Sequence, residues 1–92
     1  MFLNYHSGGR LVRGEVEPDF TGLKWSPSRI TQKLILQEIR RGAENAASNN
    51  LQIDRGDILF MDQRINWKIC IDQEKNAIVL VISEAYFDSL EN

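Results

Sequence analysis

The chain has 92 residues, of which 42% are hydrophobic and 26% charged, with 11 basic and 13 acidic side chains giving a formal charge of −2. That length supports one domain over residues 1–92, near the small end of sizes that fold alone, and the composition excludes a disordered chain. The charge balance argues against a dedicated nucleic-acid binder, and a single cysteine, Cys70, excludes an internal disulfide or a thiolate metal cluster.

The opening residues, MFLNYHSGGR, lack the basic, apolar and small-residue segments of a secretory signal. No apolar run approaches the roughly 20 residues of a bilayer span. The expectation is a soluble, cytoplasmic protein with no membrane partner.

Residues 2–17, FLNYHSGGRLVRGEVE, read as a β-hairpin turning at Gly8-Gly9, with Gly14 weakening the second strand or marking a bulge. Residues 18–28, PDFTGLKWSPS, carry two prolines and a glycine and read as loop. A long helix is expected over 27–48, with Ser26 as N-cap, Pro27 in the first turn and Trp25 stapled to Ile30. At about 100° per residue its apolar face collects Ile35, Leu36, Ile39, Gly42, Ala43, Ala46 and Ala47. Lys33, Gln37, Arg40, Arg41 and Glu44 fall opposite, and Asn49-Asn50 supplies a stop.

Three strands follow at 57–62, 66–71 and 77–82, joined by connections short enough for an antiparallel meander. A loop over Gln73–Asn76 pairs Ile71 with Ile78, Ile69 with Leu80 and Trp67 with Ile82. That register gathers the large side chains on one face, whereas a slip by one residue would mix them with Lys68 and Cys70. A short C-terminal helix is expected after Ser83. The whole is an α+β fold: an N-terminal hairpin, one long amphipathic helix packed on a three-stranded antiparallel meander, and a short terminal helix.

The strand AIVLVI has no polar residue, so both of its faces want cover. The helix covers the face with the large side chains. The other face carries Cys70, Val79 and Val81, with Leu59 and Met61 or Ile58 and Phe60 from the first strand. Only the hairpin and the tail with Tyr86 and Phe87 remain to shield it. A candidate association face of Cys70, Val79, Val81, Tyr86 and Phe87 follows, with a homodimer or another protein as the expected partner.

Chemistry is harder to find. His6 is the only histidine, and at a hairpin end it reads as an ordinary polar residue rather than a general base. Asp54, Asp57, Asp62, Asp72 and Glu74 sit at strand ends and turns, where Asp serves local hydrogen bonding, and their spacing matches no metal motif. Pro18-Asp19 has no matching acid–x–lysine partner for a nuclease site, and Arg55-Gly56-Asp57 reads as the turn before a strand. Lys68 lies two residues from Cys70 on the same face, but a packed, inert thiol is the simpler account. Phe20 and Trp25 suggest a small-ligand wall beneath the 18–26 loop. No cofactor or metal is expected.

Residues 65–90, INWKICIDQEKNAIVLVISEAYFDSL, resemble the C-terminal meander of RelE- and ParE-type toxins, in which a strand, an acidic turn and a very apolar strand lead into a short tail. The resemblance implies an RNA-directed ribonuclease or toxin-like protein, with Arg40, Arg41, Arg64 and Lys68 as its nucleic-acid face. Family members open with one strand and two helices and are basic, which this chain does not share, and no catalytic residue carries over. The favoured function is a small non-enzymatic interaction protein that self-associates, with the ribonuclease reading as the alternative.

Overall fold

One extended stretch of chain, Arg10 to Gly22, binds the protein's two sheets together in a computed structural model. The structure describes residues 1–7, 9–49, 51 and 54–85, the side chains of residues 6 and 7 excepted. The first half of that stretch, β2 (Arg10–Glu15), pairs antiparallel with β1 (Phe2–Ser7) from Ser7↔Arg10 to Phe2↔Glu15. The second half, β3 (Glu17–Gly22), runs parallel to the last strand, β6 (Ala77–Ser83). Val16 is the corner, 1% exposed, and the ladder passes through it: its N–H donates to Met1 O at 2.7 Å and its carbonyl accepts from the Met1 ammonium at 2.9 Å.

The hairpin forms where it was expected. Gly9 takes φ +77°, as a tight turn needs, while Gly8 lies outside the described residues. Gly14 is no bulge. It pairs in register with Leu3, and a Cβ there would lie 3.3 Å from the Tyr5 hydroxyl, so the glycine makes room for a buried ring.

The helix, α1 (Arg29–Ser48), starts later than expected. Ser28, not Ser26, is its cap: in extended conformation it accepts the Thr31 N–H on Oγ at 3.2 Å. The staple positions are then filled by Pro27 and Gln32, and Ile30 stands 74% exposed. Ile35, Ile39, Ala43 and Ala46 are buried as the periodicity requires, but Gly42 is exposed, and a Cβ added there would meet nothing within 4 Å. At the far end Leu51 N–H closes on Ala46 O at 2.9 Å, the long bond of a Schellman terminus.

The meander forms in the expected order, and β3 adds a fourth strand. β4 (Arg55–Phe60), β5 (Gln63–Asp72) and β6 are antiparallel neighbours, and the order β3-β6-β5-β4 makes a mixed sheet rather than a three-stranded one. Ile71↔Ile78, Ile69↔Leu80 and Trp67↔Ile82 pair as the face argument demanded. The Gln73–Asn76 loop is closed by Asp72 Oδ1, which accepts the N–H groups of Glu74 and Lys75 at 3.1 and 3.2 Å, with Asn76 at φ 53°. Residues 18–22, expected as loop, are strand because Pro18 sits on an edge, where a missing N–H costs no ladder bond. The terminal helix expected after Ser83 falls mostly outside the described residues, and Glu84 and Ala85 are a bend.

Helix and hairpin share one side of the sheet. Leu3, Tyr5, Val16, Ile35 and Ile39 form a single core with Ile65, Trp67, Ile69, Leu80 and Ile82. Each large aliphatic buried there contributes roughly 1.5–3 kcal/mol. Arg40 ties the two covering elements together, its Nη2 donating to Phe2 O at 2.9 Å. The hairpin, one of the two elements available to shield the Cys70 face, is thereby committed to the opposite face.

Candidate functional site

The second face of the sheet is read off the strand pairings, because paired residues share a face. Glu17, Val79 and Cys70 form one row across it. Asp19, Val81, Lys68 and Arg55 form the next, and Gly22, Ser83, Asn66 and Asp57 the one after. Leu59 and Arg64 close it at the β4–β5 end. None of Cys70, Val79, Val81 or Leu59 belongs to the core cluster, and Leu59 is 69% exposed.

Charge is unevenly spread across this face, with Asp57 on β4 and Asp72 on β5 standing on the side of the cations. Carboxylates stand on the β3 edge at Glu17 and Asp19. Cations stand on the β5–β4 side at Lys68, Arg55 and Arg64, with the valines and the thiol between them. Arg64 is ion-paired with Asp57, and Arg55 Nε lies 3.1 Å from Asp54 Oδ1. The lower end is closed by its own polar bonds: Ser83 Oγ donates to Gly22 O, Ala85 N–H donates to Ser83 Oγ, and Asn66 Nδ2 donates to Glu84 O. A shallow depression of about 480 Å³ remains beside Cys70, Val79 and Val81, rimmed by Asp19, Asp72 and Glu74.

Asp19 is the best-held of these charges. Its Oδ1 accepts the Thr21 hydroxyl at 2.6 Å and the Thr21 N–H at 2.9 Å. Those two bonds, helped by the charge of Lys75 and opposed by burial, hold its carboxyl below the usual value of 3.8.

A larger cleft of about 810 Å³ follows β3 around to the start of the helix. Its walls include Glu17, Asp19, Phe20, Trp25, Asp72 and Lys75. The aromatic pair Phe20 and Trp25 therefore does line a cavity, as their position in the chain suggested. Trp25 Nε1 is fully buried and has no hydrogen-bond partner among the described residues, a condition that costs about 1–3 kcal/mol.

The structure brings Cys70, Val79 and Val81 together, Cys70 directly opposite Val79. Tyr86 and Phe87 lie outside the described residues. Arg40 and Arg41 ride on the helix, where Arg41 pairs with Glu38 at 3.8 Å, while Arg64 and Lys68 lie on the sheet face turned away from that helix. The four cations are thus split between opposite sides of the sheet. His6 stands opposite Leu11 in the hairpin. Arg55-Gly56-Asp57 lies inside β4 rather than in a turn before it. Among the described residues no group of three His, Cys, Asp or Glu is placed to hold a metal ion, and no helix is long and apolar enough to cross a membrane.

Sequence reasoning missed β3, and with it the two carboxylates on this second face, whose Cys70, Val79 and Val81 are half-buried. The signal was present: Val16, Pro18 and Phe20 alternate with Glu17, Asp19 and Thr21, the period of a half-buried strand. Comparison with family models, with curated proteins and with solved structures finds no match for the chain.

Proposed function

We propose that this chain is a small interaction protein that works by self-association rather than catalysis, with a second copy seated on the open sheet face. The observation that carries the reading is the row Asp19–Val81–Lys68–Arg55, acidic at one end, apolar in the middle and basic at the other. Such a row is self-complementary. A two-fold axis parallel to the strands lays the acidic edge of one copy over the basic side of its partner, whereas an axis across the strands would set like charges together. Valine meets apolar surface at the centre, with the sheets about 10 Å apart. A cytoplasmic setting, which keeps Cys70 reduced, fits the same reading.

The face is small. Three inter-strand gaps and six or seven residues of rise make roughly 15 by 20 Å, well short of the ~800 Å² each partner buries in a standard interface. A weak, reversible dimer is the expected assembly. Light scattering behind a sizing column should give a mass near twice 10.6 kDa at high concentration, falling towards 10.6 kDa on dilution. Val81→Lys, which sets two cations against each other where the axis crosses the row, should be monomeric throughout with unchanged circular dichroism. A clean monomer at every concentration, or a dimer indifferent to Val81→Lys, would sink the reading.

A further inference from the structure

The outer edge of β3 is the second place where this molecule is built to receive something. β3 ends the strand order, and the backbone of Val16 turns both its polar groups outward to Met1. Backbone direction alternates along a strand, so Pro18 turns the same way, offering a carbonyl and no N–H. The 810 Å³ cleft runs along this edge, and a hollow of about 510 Å³ between Met1 and Ile78 shares its Glu17 and Pro18 walls. The two meet at Glu17 and Pro18 on this edge.

The groove's chemistry is acidic and aromatic. Glu17, Asp19 and Asp72 line the cleft against the single cation Lys75. The bonds from Thr21 keep Asp19 ionised, and Asp72 keeps its place by closing the loop at Glu74 and Lys75. Phe20 and Trp25 supply flat faces of the kind that attract guanidinium and ammonium groups.

We propose that this groove binds an extended basic peptide, which adds as a strand to the outer edge of β3 and sets an arginine or lysine side chain among Glu17, Asp19 and Asp72, against Phe20 and Trp25. The backbone gives its N–H to the Pro18 carbonyl, and the side chain supplies the charge the cleft lacks. Glu17 and Asp19 also belong to the open sheet face, so peptide and second copy compete. The peptide site does not depend on the dimer.

The test is a titration of the ¹⁵N-labelled full chain, dilute enough to be monomeric, with acetyl-Val-Arg-Val-Arg-Val-amide. The expected result is a saturable shift of the Trp25 indole N–H and of the Glu17–Trp25 amides, with the Trp67 indole unmoved. Replacing both arginines of the probe by glutamate, or using the Asp19→Asn/Asp72→Asn chain, should weaken binding about tenfold or more. Both substitutions keep an acceptor oxygen, so the local turns survive them. N-methylation of the probe backbone should weaken it comparably. No saturable shift, shifts centred on the helix, or equal binding by the glutamate probe would overturn the proposal. Equal binding by acetyl-arginine-amide alone would overturn it too, because the strand would then contribute nothing.

Discussion

Gly56 stands directly across the β4–β5 ladder from Trp67, and a Cβ on it would lie 2.8 Å from Cζ2 of the indole. The ring rests where a side chain would be. Trp67 is 2% exposed and packed into the core, so it has nowhere to retreat. Gly56→Ala should therefore cost about 1–3 kcal/mol, the usual range for overpacking, despite alanine's lower unfolded-state entropy. Urea unfolding should show a lower midpoint at unchanged slope. In a Trp67→Leu background the same substitution should cost much less, and equal costs in both backgrounds would contradict the steric account.

That pair also marks the boundary of what the sequence makes legible. The β5–β6 register could be read because one alignment puts Trp67, Ile69 and Ile71 opposite Ile82, Leu80 and Ile78, and a slip by one residue inserts Lys68 and Cys70 among them. The Gly8-Gly9 turn was legible for an equally local reason. β3 was masked despite its alternation, because Pro18 and Gly22 argue for loop, and only its edge position, a non-local fact, makes proline acceptable. The helix cap was ambiguous between two serines flanking Pro27, and the Thr31 N–H chose Ser28. Nor does any local pattern say on which side of the sheet the hairpin packs. The candidate face was thus found through its valines and thiol, while its acidic edge was hidden inside an apparent loop.

The turn between β4 and β5 carries avoidable strain. Met61 and Asp62 link Phe60 to Gln63 with φ of 49° and 62°, the left-handed pair a tight hairpin demands. A side chain in that region costs about 1–2 kcal/mol, and Met61, 82% exposed, gains little burial in return. Met61→Asn with Asp62→Gly should stabilise the chain by about 0.5–1 kcal/mol. The check is the thermal midpoint, which should rise; an unchanged or lower value would mean that methionine pays its way by packing on Trp25 and Phe60.

Asp19 should make stability sensitive to acid. Its carboxyl is held below the ordinary 3.8, chiefly by the Thr21 hydroxyl and then by the Thr21 N–H. A folded-state value below the unfolded one contributes stability that is complete above the unfolded value and drains away as pH falls through the folded one. Glu17 and Asp72 beside it are carboxylates too, so the wild type alone cannot isolate Asp19. The difference between wild type and Asp19→Asn does so. It should be constant above about pH 5 and shrink below about pH 4, with Thr21→Val giving an intermediate slope. A difference that stays flat to low pH would show that the Thr21 bonds do not favour the charged form.

The charge order of the open face gives the most discriminating experiment. Asp19 and Lys68 lie in one row, separated by Val81, and the proposed two-fold sets each against the other residue of the partner. Asp19→Arg alone then creates two repulsive contacts per dimer, one at each symmetry-related position, and Lys68→Glu alone does the same. Each single variant should associate about tenfold or more weakly than the wild type. Mixed together, however, an Asp19→Arg copy and a Lys68→Glu copy restore both attractions, arginine to glutamate on one side and lysine to aspartate on the other. Light scattering should therefore show a heterodimer where neither variant dimerises alone. If Asp19 and Lys68 acted only within one chain, mixing would restore nothing, and only the double variant would recover. Recovery on mixing places the pair between copies, and its absence removes the two-fold.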